Sequence, residues 1–271
     1  MSNSVRVLFL GDIVGNVGIK MVERWLGHLK AQYKVDCVII NGENAGANGR
    51  GPSDRSIRKI LELGADAVTS GNHIWDQKDI YNYINEEKRL IRPANYPAGT
   101  PGNGMAYIEI AGVRICVMNL MGRVFLRETL DCPFKKADDL LVTIRQKTPI
   151  VLVDFHAETT SEKQALGLYL DGRISAMVGT HTHTMTADEK ILPKGTAYIT
   201  DLGFSGSKYS CLGMQSDSII KRFITQMPQK FIVDTTPPYV LSGVCIDINT
   251  RTGMANSIER VQIEDNNKIE G

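Results

Sequence analysis

The chain has 271 residues, 42% of them hydrophobic, and its 31 lysines and arginines against 30 aspartates and glutamates leave a net charge of +1. This length allows one large core or two modest ones. A near-neutral charge argues against a protein that binds long nucleic acid, which depends on a basic surface. A small phosphorylated substrate is compatible with this balance.

The cysteines and the N-terminal region predict a cytoplasmic protein. The five cysteines lie far apart and form no Cys-x-x-Cys pair, so we expect reduced thiols rather than a disulfide or zinc framework. The apolar run at residues 5–10 is too short for the core of a signal peptide. No stretch approaches the roughly 18 apolar residues of a membrane span, so no membrane association is expected.

Three strand-like runs in the first third of the chain are each followed by a segment with helical spacing of apolar residues. The runs lie at residues 5–10, 36–41 and 65–70. Ser53 and Asp76 are placed to cap the second and third helices. Successive βα units of this kind predict a parallel sheet with helical crossovers.

A glycine-rich loop at residues 45–52 separates the second strand from its helix. It is too rich in glycine to be helix or strand, and it is not a Walker motif because no Gly-Lys-Ser/Thr follows. Two interpretations stay open for Gly46 to Gly51, a flexible connection and a lid that faces the substrate.

The pattern changes from residue 90 onwards. Residues 92–104 are rich in proline and glycine and predict a loop, and residues 105–110 and 113–119 predict a hairpin that begins a second, partly antiparallel sheet. Later helices are predicted at residues 137–146, 161–170 with Ser161 as cap, and about 218–224, and later strands at 150–155, 174–178, 197–200, 239–249 and 257–264.

No internal repeat, low-complexity segment or long linker marks a boundary. We therefore predict one domain over residues 1–271, with an α/β fold in which helices flank two mixed sheets. The polar residues 265–271 are expected to fray.

Polar side chains gather where the predicted strands end. His181 and His183 follow the strand at residues 174–178, and side chains two apart on an extended segment point the same way, as a pair of metal ligands would. The other candidates at strand ends are Asp12, Glu43, Asn44, Asn72, His73 and His156. Open α/β sheets place their sites at this edge. His28 lies on the first helix without neighbouring ligand types and is predicted to be a surface residue.

These candidates together offer carboxylates, carboxamides and imidazoles without a thiolate. A site for a single metal ion does not need so many donors. A pair of first-row divalent ions about 3.5–4 Å apart, which share a carboxylate and a hydroxide, does need them. Two such cations leave a positive site that suits a phosphate ester, and a nearby imidazolium could protonate the leaving alkoxide.

The order of these residues resembles the motif series of calcineurin-type metallophosphoesterases, with Gly11-Asp12, Gly71-Asn72-His73, His156 and His181-x-His183 on strand ends. The complete set of motifs resembles that of the bacterial YmdB-like branch over residues 5 to about 263. Its motifs here are Gly-Asp-Ile-Val-Gly, Asn-Gly-Glu-Asn, Ser-Gly-Asn-His-x-Trp-Asp, Val-Asp-Phe-His-Ala-Glu, Gly-Thr-His-Thr-His and Ile-Lys-Arg-Phe.

Two positions depart from the general superfamily. Val14 stands where most members carry the histidine of Asp-x-His, and Glu43 stands where the bridging aspartate is usual. The YmdB-like branch shares both changes, with the asparagine after the glutamate serving as a ligand.

The resemblance implies a four-layer α/β/β/α sandwich and a site for two divalent or trivalent first-row metal ions per chain. Iron and manganese are the first candidates for these metals, and zinc, cobalt and nickel are the alternatives. It implies one metal on Asp12, Asn44 and His183, another on Asn72, His156 and His181, and Glu43 as the bridge. His73 would act as general acid or orienting donor, and Asn72 and His73 would contact the substrate.

The implied activity is a phosphodiesterase for cyclic nucleotides, 2′,3′-cyclic or 3′,5′-cyclic, by attack of a metal-bridging hydroxide. Two alternatives stay open: a regulatory or RNA-associated protein that senses nucleotides with little turnover, and a protein phosphatase. Asp154 and Asp201 either support the site from behind or are turn residues. A homo-oligomer is open, with residues 92–104 and Phe125-Leu126 as either interface or packed surface.

Overall fold

A computed structural model describes residues 3–269 and contains two β-sheets flanked by helices. The strands are β1 (Ser4–Leu10), β2 (Asp12–Ile13), β3 (Cys37–Asn41), β4 (Ala67–Thr69), β5 (Met105–Ile110), β6 (Val113–Met121), β7 (Ile150–His156), β8 (Ala176–Thr180), β9 (Lys190–Ile191), β10 (Ala197–Ile199), β11 (Phe204–Ser207), β12 (Tyr239–Asn249) and β13 (Ala255–Asp265). The helices are α1 (Gly15–Tyr33), α2 (Asp54–Glu62), α3 (Ile80–Glu86), α4 (Pro133–Ile144), α5 (Thr160–Leu170) and α6 (Ser216–Thr225).

The strand order brings the carboxyl ends of the parallel strands together. The first sheet has the order β2-β11-β12-β1-β3-β4, with β13 also paired to β12, and the second has the order β5-β6-β7-β8-β10-β9. β1, β3 and β4 are parallel, as are β6, β7, β8 and β10. The predicted βα units and the β5–β6 hairpin are confirmed.

Alternation along the strands divides the apolar residues between separate cores. Leu8 and Leu10 of β1 point into a core shared with α1 and α2, whereas Val7 and Phe9 point into the core between the two sheets. On the far side of the second sheet, Val153 packs in a third core with α4 and α5. Four layers in the order α/β/β/α result, as predicted.

One of the predicted helix caps is confirmed and two are wrong. The Ser53 hydroxyl accepts from the Ser56 N–H at 3.1 Å and closes a capping box. Asp76 does not cap α3, which begins only at residue 80, because its carboxylate is bonded within the preceding loop. Ser161 already lies inside α5, whose N-cap is Thr159; three consecutive hydroxyl residues made the start ambiguous.

The C-terminal strand continues further than expected. Asp265 is buried and accepts from Arg24 Nη1 at 2.6 Å and from Trp25 Nε1 at 3.0 Å, while Ile269 packs against the core under α1. Residues 265–269 are therefore held in place, in contrast to the expected fraying. The last two residues of that predicted tail lie outside the described part.

The structure also shows the surroundings of His28 and of the loop at residues 92–104. His28 is exposed on α1, as predicted. The loop at residues 92–104 is packed by the buried Arg92, whose guanidinium donates to three carbonyls of the same loop. Between residues 3 and 269, no helix is long and apolar enough to cross a membrane.

Candidate metal centre

The carboxyl ends of strands from both sheets bring the predicted site residues together. Asp12 lies in β2, directly after β1, and the residues after β3 and β4 meet those that end β7 and follow β8. Distances of 3.0–3.9 Å between side-chain atoms link these residues in two sets, Glu43, Asn72, His156 and His181 in one and Asp12, Asn44 and His183 in the other. His73 joins them through its backbone N–H, which lies 3.4 Å from Glu43 Oε2.

One group of donor atoms converges on His156. Its Nε2 lies 3.0 Å from Asn72 Oδ1, 3.0 Å from His181 Nδ1 and 3.1 Å from Glu43 Oε2. The ligand atoms of Glu43, His156 and His181 all lie within 4.8 Å of one another, a separation at which they could hold a metal ion. We call these four residues the His156 group.

A second group surrounds His183. Its Nε2 lies 3.1 Å from Asn44 Oδ1 and 3.9 Å from Asp12 Oδ1. Among the described residues, Asp12 Oδ1 is buried without a hydrogen-bond partner. A buried carboxylate oxygen without a partner is costly unless a cation binds it, so this group, the His183 group, fits a metal ion.

The backbone around the two groups is tightly constrained. A Cβ at Gly71 would clash with Glu43 and His156, so the site tolerates only glycine there. His181 and His183 adopt left-handed backbone conformations with φ of 97° and 58°. Such conformations cost about 1–3 kcal/mol each in a residue with a side chain and are concentrated at functional sites.

The tautomer of His156 is determined by a chain of buried hydrogen bonds. Its Nδ1 lies 2.9 Å from Thr180 Oγ1, and the Thr180 hydroxyl donates to Asp154 Oδ1 at 2.7 Å. The threonine proton is therefore engaged, and the oxygen accepts from His156 Nδ1–H. Nε2 therefore faces the His156 group, where it donates while the ring is protonated and offers a lone pair once that proton is lost. Asp154, further held by Asn41 and Thr69, thus supports the site from behind.

His183 is oriented by a backbone carbonyl instead. Its Nδ1 lies 3.2 Å from the Leu212 oxygen, and a carbonyl can only accept, so Nδ1 carries the proton and Nε2 faces Asn44 and Asp12. Asp201 anchors the intervening residue, accepting from Thr182 N–H at 3.1 Å and from Lys163 Nζ at 2.6 Å.

The carboxylates and imidazoles of the centre shift one another's protonation. Burial opposes ionisation of Glu43, but the charge and hydrogen bond of His156 outweigh it and lower the pKa of Glu43 to about 2. Burial likewise disfavours protonation of His156, yet Glu43 and Asp12 raise its pKa to about 9. Burial, together with the negative charge of Glu43, raises the pKa of Asp12 well above its ordinary value.

The two remaining imidazoles are neutral. Burial and the charge of His156 lower the pKa of His181 to about 3, and burial lowers the pKa of His183. Neutral imidazoles are the form that binds metals. The electrostatics of the centre therefore present one carboxylate and two imidazoles ready for a cation.

His73 lies at the edge of the centre, and its partner is Asp76, the residue predicted to cap α3. Its Nδ1 lies 2.9 Å from Asp76 Oδ2, which also accepts from Arg50 Nε at 3.1 Å. Arg50 belongs to the glycine-rich loop, and that loop is also tied to the centre because Asn44 Nδ2 donates to the Gly49 oxygen at 3.2 Å. These bonds favour an ordered wall of the site over a flexible connection.

Sequence reasoning missed Asp76, Thr180 and the Leu212 carbonyl as supports of the site. Asp76 carried a signal, since it ends the motif Gly-Asn-His-x-Trp-Asp. Thr180 precedes His181 directly, but its hydroxyl could equally have bonded its own strand. The carbonyl contact had no signal, because any residue type supplies a carbonyl.

Known proteins are similar to this chain over nearly its whole length. The YmdB-like protein family model matches residues 8–261. The chain is 51% identical to the 2′,3′-cyclic-nucleotide 2′-phosphodiesterase of Bacillus subtilis (strain 168) over 96% of this chain and 98% of that protein.

Two solved structures are also similar along nearly the whole chain. A hypothetical protein from Thermus thermophilus has a TM-score of 0.88 and 41% identity, covering 96% of this chain and 100% of that one. A novel phosphatase from Mycoplasma pneumoniae has a TM-score of 0.92 and 34% identity, covering 98% and 95%. With a family model over residues 8–261 and these full-length similarities, the chain belongs to the YmdB-like protein family.

Proposed function

We propose that this protein is a metal-dependent phosphodiesterase that hydrolyses 2′,3′-cyclic nucleotides. The observation that carries the proposal is the convergence of carboxylate, carboxamide and imidazole donors at the strand ends, including the buried and unpartnered Asp12 Oδ1. The activity in the name of the Bacillus subtilis relative supports the substrate class. The donor set suits first-row metals because it combines oxygen and imidazole ligands without thiolate.

The two groups of donors would hold two metal ions per chain, with iron and manganese as the first candidates. The His156 group would hold one metal ion and the His183 group, which includes Asp12 and Asn44, would hold the other. Glu43 would be shared between them. Bound there, the metals would supply Lewis-acid activation of water and stabilisation of phosphate charge.

The protein's own groups would position the ester and handle the proton. Asp76 accepts from His73 Nδ1 and holds the ring, leaving Nε2 to donate to the leaving oxygen when the ring is protonated. Asn72, beside His73, would contact the phosphate. The oxygen of water bonds to phosphorus, the bond from phosphorus to the 2′ oxygen breaks, and that oxygen takes a proton to give the nucleoside 3′-phosphate.

Elemental analysis of the purified protein, followed by hydrolysis assays, tests the proposal. We expect close to two metals per chain and turnover of a 2′,3′-cyclic nucleotide well above that of a 3′,5′-cyclic nucleotide or a phosphomonoester. Preference for the monoester would instead support a phosphatase. Tight nucleotide binding with negligible turnover at saturating metal would support a sensing role.

The variant Glu43→Gln separates the site from the rest of the molecule. Removing the shared charge should abolish turnover and reduce the metal content, while Glu23→Gln, at a half-exposed surface glutamate paired with Lys59, should leave both unchanged. Full activity of a folded Glu43→Gln protein would contradict the assignment.

A further inference from the structure

The three imidazoles of the metal centre are oriented by three different acceptors, and one of these is a half-exposed carboxylate. His156 is held through buried Thr180, and His183 through a backbone carbonyl. His181 instead has its Nε2 at 2.9 Å from Glu158 Oε2. The Glu158 side chain is 48% exposed, so this acceptor lies at the solvent edge of the centre.

The contact decides which nitrogen of His181 carries the proton. A neutral imidazole has one N–H and one lone pair, and an ionised carboxylate only accepts hydrogen bonds. Facing Glu158, the proton must be on Nε2, which leaves the lone pair on Nδ1. That nitrogen lies 3.0 Å from His156 Nε2, inside the His156 group. The opposite tautomer would point an N–H at the other donors.

The backbone of His181 is held independently of this contact. Its N–H donates to Asp12 Oδ2 at 3.2 Å, and the neighbouring Thr182 is anchored by Asp201 through its N–H at 3.1 Å and its hydroxyl at 2.8 Å. Loss of Glu158 would therefore release the ring without moving the chain. The consequence would be confined to the ligand atom that His181 presents.

We propose that Glu158 is a positioning residue that keeps His181 in the Nε2–H tautomer, and that it thereby sets the affinity of the His156 group for metal. The inference rests on the proposed function insofar as it assumes a metal at this group. Carboxylates that accept from metal-bound histidines orient the ring and raise its basicity, and their removal costs about 10–100-fold in metal affinity. The His183 group has no contact with Glu158 and should keep its affinity.

Nitrogen NMR of metal-free protein labelled at its five histidines tests the tautomer directly. In the wild type, His181, assigned by comparison with His181→Gln, should show a protonated Nε2 and an unprotonated Nδ1. In Glu158→Ala, the two tautomers should be mixed, with His156 and His183 unchanged as internal references. An unchanged His181 in Glu158→Ala would overturn the proposal.

Calorimetric titration with Mn²⁺ tests the consequence for the metal. In Glu158→Ala, one binding event should weaken about 10–100-fold and the other should not. Glu158→Gln keeps an acceptor oxygen and should restore most of the affinity. Glu23→Ala is the matched control, because its side chain is 47% exposed and pairs with Lys59 on the surface, and it should bind as the wild type does.

The outcomes separate this inference from the proposed function. Equal weakening of both events, or no weakening of either, would overturn the role of Glu158 while leaving the metal centre in place. Failure of the wild type to bind manganese would overturn the proposed centre, and the tautomer of His181 would still decide whether Glu158 orients the ring.

Discussion

A buried ion pair behind the candidate metal centre allows a quantitative test of how the site is supported. Lys163 Nζ lies 2.6 Å from Asp201 Oδ2, and both side chains are 1% exposed. Asp201 also accepts from Thr182 and from Gly203 N–H. Among the described residues, Lys163 is the only cation bonded to Asp201. The variant Lys163→Met therefore leaves the buried Asp201 carboxylate without its charge partner.

The expected cost follows from the burial of the pair. Removing one partner of a buried ion pair costs about 3–5 kcal/mol of stability. Because Thr182 and Gly203 still donate to Asp201 in Lys163→Met, we expect a cost at the lower end of this range, about 3 kcal/mol. At about 2–4 °C per kcal/mol for a protein of this size, the melting temperature should fall by about 6–12 °C. Because Asp201 anchors Thr182 between His181 and His183, metal binding should weaken as well.

Denaturant unfolding and calorimetry of the metal-free protein measure this cost. The matched control is Lys59→Met, since Lys59 Nζ lies 2.5 Å from Glu23 in a pair whose side chains are 42% and 47% exposed. An exposed pair contributes about 0–1 kcal/mol. The double variant Lys163→Met with Asp201→Asn should be less destabilised than the sum of its single variants. If Lys163→Met matched Lys59→Met, the buried pair would have no special role and the reasoning would be refuted.

Three further outcomes follow from the structure. Thr180→Val removes the acceptor of His156 Nδ1–H and should weaken metal binding about 10–100-fold. Thr143→Val on the exposed face of α4, where the hydroxyl bonds the Leu140 carbonyl, should not weaken it, and calorimetric metal titration compares the two variants. Because the pKa of His156 is about 9 in the metal-free protein, a metal must displace its proton, so apparent metal affinity should rise between pH 6 and pH 9 with measurable proton release; an affinity independent of pH would contradict this. Ser53→Ala removes the capping box of α2 and should lower the free energy of unfolding by about 1 kcal/mol, measured by denaturant unfolding; a loss of metal binding in this variant would show that the helix start also supports the glycine-rich loop.

Much of the fold could be predicted because its signals are local. The apolar runs of β1, β3, β7 and β12 stand out from the sequence, and alternation within them assigns their two faces. The two-residue strands β2 and β9 carry no period and were missed. Asp76 was misassigned as a cap because an aspartate before a helix has the same local signature whether it bonds that helix or a histidine in the loop.

The candidate site also has a part that follows from local sequence patterns and a part that depends on tertiary contacts. The sequence by itself determined which residues lie at the strand ends, because strand periodicity and the succession of βα units place them there whatever their partners are. Only the tertiary structure decided which atoms meet. Asn44 and His183, whose side chains lie 3.1 Å apart, are separated by 139 positions in the chain, and Asp12 and His181 by 169.

The tautomers of the three imidazoles belong wholly to the tertiary structure. They depend on a threonine hydroxyl, a backbone carbonyl and a half-exposed carboxylate, and none of these acceptors has a sequence pattern that names its partner. A hydrogen bond is decided within a few tenths of an ångström, whereas a sequence pattern locates a side chain only to a face and an edge. The sequence therefore specifies the donors of the centre, and the packing of two sheets against each other specifies which lone pairs face inward.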